Sequence, residues 1–108
     1  MRDRLLALLF LLAFVGACTG KGYSRDEFKD RVLGKTMTAV VNAVGKPDES
    51  KPTDSGTLYY YLRRTYDVRK GPDQPDFRAQ VLFKEGKAMV IRFEVRPGNV
   101  DQTVTHLF

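Results

Sequence analysis

Few residues in this 108-residue chain have side chains suited to covalent or acid-base chemistry at a useful spacing. There is one cysteine, Cys18, and one histidine, His106. A single cysteine permits no intramolecular disulfide and no cysteine-based zinc site. A single histidine two residues from the last one offers no nucleophile-base-orienter set and no histidine metal cluster. Asp26 and Asp30 stand at i, i+4, but Arg25 and Arg31 are interleaved, which reads as a charged solvent face. Gly34-Lys35-Thr36 has the ending of a phosphate-binding loop, yet position 29 holds lysine where that pattern needs glycine. A C-cap glycine followed by an N-cap threonine accounts for it better. The expectation is a non-catalytic protein with no metal, no cofactor and no small-molecule substrate.

Cys18 has a sharper reading. The chain opens Met1-Arg2-Asp3-Arg4 and then runs uncharged from Leu5 to Val15, a basic start and an apolar stretch of signal-peptide length. A spanning helix needs roughly 20 apolar residues, and Gly16, Cys18, Thr19, Gly20 and Lys21 stop this one short. Val15-Gly16-Ala17-Cys18 resembles a bacterial lipobox, cut just before the cysteine. The resemblance implies a lipoprotein signal peptide over 1–17, diacylglycerol on the Cys18 sulfur and an acylated Cys18 amine. Two or more acyl chains anchor a protein stably, where one holds it only reversibly. A plain secretory signal ending at Ala17 would instead leave a free thiol. Thr19 follows the cysteine rather than aspartate, which leans toward the outer membrane in a bacterium that has one.

The second candidate is a surface. Arg63, Arg64, Arg69 and Lys70 gather beside Tyr59, Tyr60, Tyr61 and Tyr66. Net charge is +5, and loss of Arg2, Asp3 and Arg4 with the signal leaves +4. A basic, tyrosine-rich patch fits nucleic acid, anionic headgroups or an acidic protein face. Export on a lipid anchor disfavours nucleic acid and favours a membrane or an envelope protein partner. Tyr59, Tyr61, Arg63, Arg64, Arg69 and Lys70 are the expected partner or anionic-lipid surface, since tyrosine suits interfaces with its rigid ring and polar tip.

The elements that must position these residues fill a single small domain. Residues 18–23 form a tether. Ser24-Arg25-Asp26-Glu27 is a capping box with Tyr23 and Phe28 as its staple, predicting a helix that ends at Gly34. Thr36 caps a second helix, with Met37, Val40, Val41 and Val44 on one stripe and Gly45 and Pro47 ending it. Residues 48–56 read as a loop. Residues 57–62 read as a strand, 63–76 as a long charged loop. Phe77 to Phe83 and Met89 to Val95 alternate as two strands around a hairpin at Lys84-Glu85-Gly86-Lys87. The prediction is a two-layer α+β domain over 24–96: two N-terminal helices on a three-stranded antiparallel meander, ααβββ. Residues 97–108 are left as a tail or an edge strand.

In this order the residues resemble the small outer-membrane lipoprotein A group, also called BamE-like. The carrying positions are Gly34, Thr36, Val40, Gly45, Pro47, Tyr61, Phe83 and Gly86, between a lipobox cysteine and a Phe83-Lys84-Glu85-Gly86-Lys87 hairpin. They cover about residues 18–95 and serve as caps, core and turn. The resemblance implies two helices on a three-stranded sheet. It also implies an accessory, scaffolding role in the outer-membrane β-barrel assembly machine, with contact to anionic lipid. Two features depart from the pattern: Tyr59 stands for the usual tryptophan, and the 63–76 segment is longer and more basic. The same architecture occurs in secreted β-lactamase inhibitors, so a periplasmic protein-binding or inhibitor module is the alternative.

Overall fold

The computed structural model describes residues 22–107; the expected signal peptide, the lipobox-like stretch and Cys18 lie outside the described residues. Seven strands and two helices follow in the order β1 (Tyr23–Ser24), α1 (Arg25–Val32), α2 (Met37–Val44), β2 (Glu49–Thr53), β3 (Gly56–Leu62), β4 (Thr65–Tyr66), β5 (Arg78–Lys84), β6 (Lys87–Arg96), β7 (Asn99–Thr105).

Both helices start and stop where local chemistry directs. The Ser24 hydroxyl accepts from the Glu27 N–H at 3.1 Å, and the Ser24 N–H donates to Glu27 Oε1 at 3.0 Å. The box is thus closed in both directions. The Thr36 hydroxyl accepts from the Ala39 N–H at 3.2 Å, and Gly45 ends α2 at a φ of 95°. Gly34 and Lys35, between the helices, exchange backbone hydrogen bonds with Ala88, which fastens the interhelical corner to the start of β6.

The sheet is where the expectation fails. It has five strands in the order β2-β3-β5-β6-β7, antiparallel throughout, with a separate parallel pair of β1 and β4. The three-stranded ααβββ arrangement is therefore incorrect, and the sheet dominates the chain. The 48–56 segment, expected as a loop, forms β2 and pairs from Glu49 opposite Tyr60 to Thr53 opposite Gly56. Its sequence, Glu-Ser-Lys-Pro-Thr, shows no buried face because an edge strand pairs through its backbone while its side chains stay in water. The tail resolves to β7, the opposite edge.

The core lies between the helices and one sheet face. Phe28, Val32, Val40 and Val44 meet Tyr59, Tyr61, Ala79, Val81, Phe83, Ala88, Ile91 and Phe93. Phe28 sits edge-on to Tyr61 at 5.5 Å and to Phe93 at 6.2 Å between ring centroids. The β5–β6 register shifts beyond Leu82, so Met89 is skipped and Ala88 faces Phe83. One extra residue in a ladder moves its neighbours to the other face. That is why Ala88, and not Met89, is fully buried.

Candidate functional site

The expected surface does not exist as one patch. Tyr61 is fully buried and Tyr59 nearly so, both on the helix side of β3. With strands paired on both sides of β3, its helix-side face lies deep in the core. The Tyr61 hydroxyl donates to the Gly45 carbonyl at 2.9 Å, closing the end of α2. Burial pushes the Tyr61 phenol well above the usual tyrosine range. Tyr59 and Tyr61 therefore leave the list of partner-contacting residues and join the core. Tyr60 points to the opposite face, where the Arg78 guanidinium lies 4.2 Å and the Lys51 ammonium 5.7 Å from its ring centroid. Arg78 is ion-paired with Glu94, so it bridges the ring to the next strands.

The four basic residues divide into two pairs. The parallel β1–β4 pairing sets Tyr23 opposite Thr65, so the residues preceding each strand lie together. The Tyr23 N–H donates to the Arg64 carbonyl at 2.8 Å. A Cβ on Gly22 would fall 2.6 Å from that carbonyl oxygen, which requires glycine there, at a φ of 87°. Arg63 and Arg64 thus mark the point where the chain enters the domain. Arg63 is exposed, and Leu62 beside it is 39% exposed. Arg64 leans on the Tyr61 ring at 5.6 Å, reaches the Val44 carbonyl at 3.4 Å and lies 3.6 Å from Asp48.

Arg69 and Lys70 sit at the other end of β4, in a turn closed by bonds from Lys70 and Gly71 to the Asp67 carbonyl. Arg69 is exposed but folds back onto Asp67, with Nη2 at 2.6 Å from Oδ2. That bond is the main reason the Asp67 carboxyl titrates well below the ordinary range.

Beside this turn is a feature that the sequence did not disclose. Arg25, expected on a solvent face, is buried at the first position of α1. Its Nε and Nη2 donate to the two oxygens of Asp76 at 3.1 and 2.7 Å, and its Nη1 donates to Asp101 at 2.7 Å. Asp76 also accepts from the Thr65 hydroxyl at 2.8 Å. Asp67 stands 3.9 Å from Nη1, and the Phe93 ring lies 5.3 Å from the guanidinium carbon. The β6–β7 register passes from Gln102 to Val100, which leaves Asp101 as the extra residue of a bulge. A bulge re-aims a side chain, and here it delivers the carboxylate to Arg25. No sequence signal marks this cluster, because its members are 51 and 76 positions apart.

The cluster holds structure together and has no vacant reactive group. The fork of Arg25 fixes Asp76 in a planar, two-bond geometry that raises the guanidinium pKa still further. The adjoining cleft, lined by Arg25, Asp26, Asp67, Val68, Arg69 and Gln102, measures about 90 Å³. Organic ligands occupy clefts of roughly 300 Å³ or more. Among the described residues no group of His, Cys, Asp and Glu is disposed to hold a metal ion. No helix among them is long and apolar enough to cross a membrane. No family model, no curated protein and no solved structure matches this chain.

Proposed function

We propose that this chain is a non-catalytic lipoprotein of the bacterial outer membrane, anchored through acylated Cys18, that serves as an accessory or scaffold module of an envelope assembly complex. The observation that carries the reading is the short distance, in residues, between a lipobox cysteine and a fixed point of the domain. Gly22 lies against Arg64, four residues after Cys18. Four extended residues reach at most about 14 Å. An acylated Cys18 would therefore hold the Arg63-Arg64 end close to the headgroups, where basic residues are favoured beside anionic lipid. Arg63 and Arg64 are then the part of the predicted surface available to a membrane-proximal partner, with the exposed Leu62 beside them. Arg69 and Lys70 face elsewhere and are outside that contact.

The barrel-assembly machine is the complex that the BamE-like resemblance names, and it is the partner proposed. Affinity co-purification from detergent-solubilised envelopes tests it. Barrel-assembly subunits should co-purify. Their absence would contradict the scaffold role, and recovery of one soluble periplasmic enzyme instead would favour the inhibitor reading.

A further inference from the structure

The helices cover one face of the five-stranded sheet, and among the described residues no helix or strand covers the other. Residues alternate between faces along a strand, and ladder partners share a face, so the register fixes what stands on the open side. Its charged residues are the cations Lys51, Arg78, Lys84, Lys87 and Arg92 and the acids Glu49 and Glu94. Residues 22–107 hold fifteen Lys and Arg against twelve Asp and Glu. Away from this face the two signs balance, ten of each. The whole positive excess of the described domain therefore stands on the open sheet face. Arg78 is ion-paired with Glu94. Among the described residues Lys51, Lys84, Lys87 and Arg92 have no ion-paired carboxylate, whereas Arg25, Lys29, Arg64 and Arg69, elsewhere on the domain, each have one. Lys84 and Lys87 even stand directly opposite each other across the β5–β6 ladder. Like charges in that position weaken a sheet, and the fold bears that cost with no acid paired to either.

Between the cations the face is apolar. Leu58 and Tyr60 form its floor, with Lys51 and Arg78 against the Tyr60 ring, and Leu82 and Val90 are half-buried beside them. Leu62 and Val100, at opposite ends of the row that holds Arg78 and Glu94, are exposed. We propose that this face is the docking surface for an acidic protein segment that carries apolar side chains among its carboxylates. Charge complementarity selects that occupant. A second copy would set the same unpaired cations against themselves. A bilayer is disfavoured by position, a step that rests on the anchored reading above. β3 and β5, seven residues each, run about 20 Å from the Arg63-Arg64 corner to Lys84 and Lys87. Charges are screened over about 8 Å at physiological salt, so headgroups held at that corner leave the two lysines to a protein. Five strands spaced about 4.8 Å apart and about 20 Å long give a patch of roughly 400 Å². A contact of that size belongs to the weak, transient class and is sensitive to salt.

The test uses the full chain, purified from envelopes in a non-ionic detergent, and two probes: a glutamate-rich peptide interspersed with leucine, and vesicles of phosphatidylglycerol and phosphatidylcholine. Peptide binding should move the backbone amide resonances of Gln80, Lys84 and Arg92 and leave Asn42, on the exposed side of α2, in place. Lys84→Glu with Lys87→Glu should weaken the peptide about tenfold, as loss of complementary charge does. Lys46→Glu with Lys70→Glu makes the same change in net charge away from the face and should weaken it less than about twofold. Flotation with the vesicles should be the same for both pairs. Lys84→Glu alone sets opposite charges across the hairpin and should keep or raise the melting temperature, which separates lost binding from lost folding. Equal weakening by the two pairs, or shifts confined to the helix side, would overturn the assignment. So would a Lys84/Lys87 pair that loses flotation as strongly as peptide binding, since the face would then serve lipid. The peptide measurement does not depend on Cys18, so a chain that carries no acyl group contradicts the anchor and leaves this test intact.

Discussion

Two arginines of this protein each lie close to an aromatic ring, and they do opposite work. Arg25 lies over Phe93, buried, with two carboxylates in direct contact. Arg64 lies over Tyr61, about one-third exposed, with Asp48 at 3.6 Å. The first binds α1 to β7 and to the segment before β5, and removing it would strand buried acid. The second lies at the mouth of the domain, where its partners are a part-exposed Asp48 and, at 3.4 Å, the Val44 carbonyl. Residue type and local sequence make the two look alike; burial of the acidic partner decides which one holds the fold.

The largest effects should come from the buried side of this comparison. Arg25→Ala leaves Asp76 buried without its cation and should cost about 3–5 kcal/mol, the range for breaking a buried pair. In a domain this small each kcal/mol lowers the melting temperature by about 4–8 °C, so thermal unfolding reads it directly. Arg25→Lys should recover only part, because lysine cannot present the two-bond fork. Tyr61→Ala should cost a comparable 3–5 kcal/mol by emptying the centre of the core. A melting temperature close to wild type for Tyr61→Ala would return that residue to the surface and undo the comparison.

Acid titration sharpens it. Arg69 and Arg25 hold the Asp67 and Asp101 carboxyls, respectively, below their ordinary values. A depressed carboxyl contributes stability above its unfolded pKa, about 3.9, and loses it as pH falls through the folded value. Stability should therefore be flat from neutral pH to about 5 and decline only below about 4. Arg69→Ala should remove part of that stability at neutral pH and so make the acid decline shallower, as followed by denaturant midpoints across pH. Ser24→Ala, which opens the capping box, should cost about 1 kcal/mol.

The smallest change in stability belongs to the exposed side. Arg63→Ala with Arg64→Ala should cost less than about 1 kcal/mol, while weakening flotation with anionic vesicles or recovery of the partner. A melting-temperature loss as large as that of Arg25→Ala would place the pair in the fold and erase the distinction between the two regions.

What the sequence disclosed follows the range of the interaction. Ser24, Glu27, Thr36 and Gly45 act within a turn of themselves, and both helices were legible from them. The β5–β6 hairpin was legible from alternation across a tight turn, except at the bulge, where one extra residue exchanges Met89 for Ala88. β2 was not legible, because an exposed edge strand with a proline has no apolar period to show. The three consecutive tyrosines could not say which face was inward, since aromatic residues occupy both. The Arg25 cluster was invisible because its partners lie in β7 and in the segment before β5, joined to α1 only by the fold. Of the predicted surface, Arg63 and Arg64 keep a shared location, while Arg69 and Lys70 belong to a different end.

The central claim, a small interaction domain held at a membrane by its own cysteine, meets its most direct test in metabolic labelling with a fatty-acid analogue. The wild-type chain should carry the label, and Cys18→Ser should carry none and remain unprocessed. A Cys18→Ser chain that still takes up label, or a wild-type chain that never does, would contradict the account.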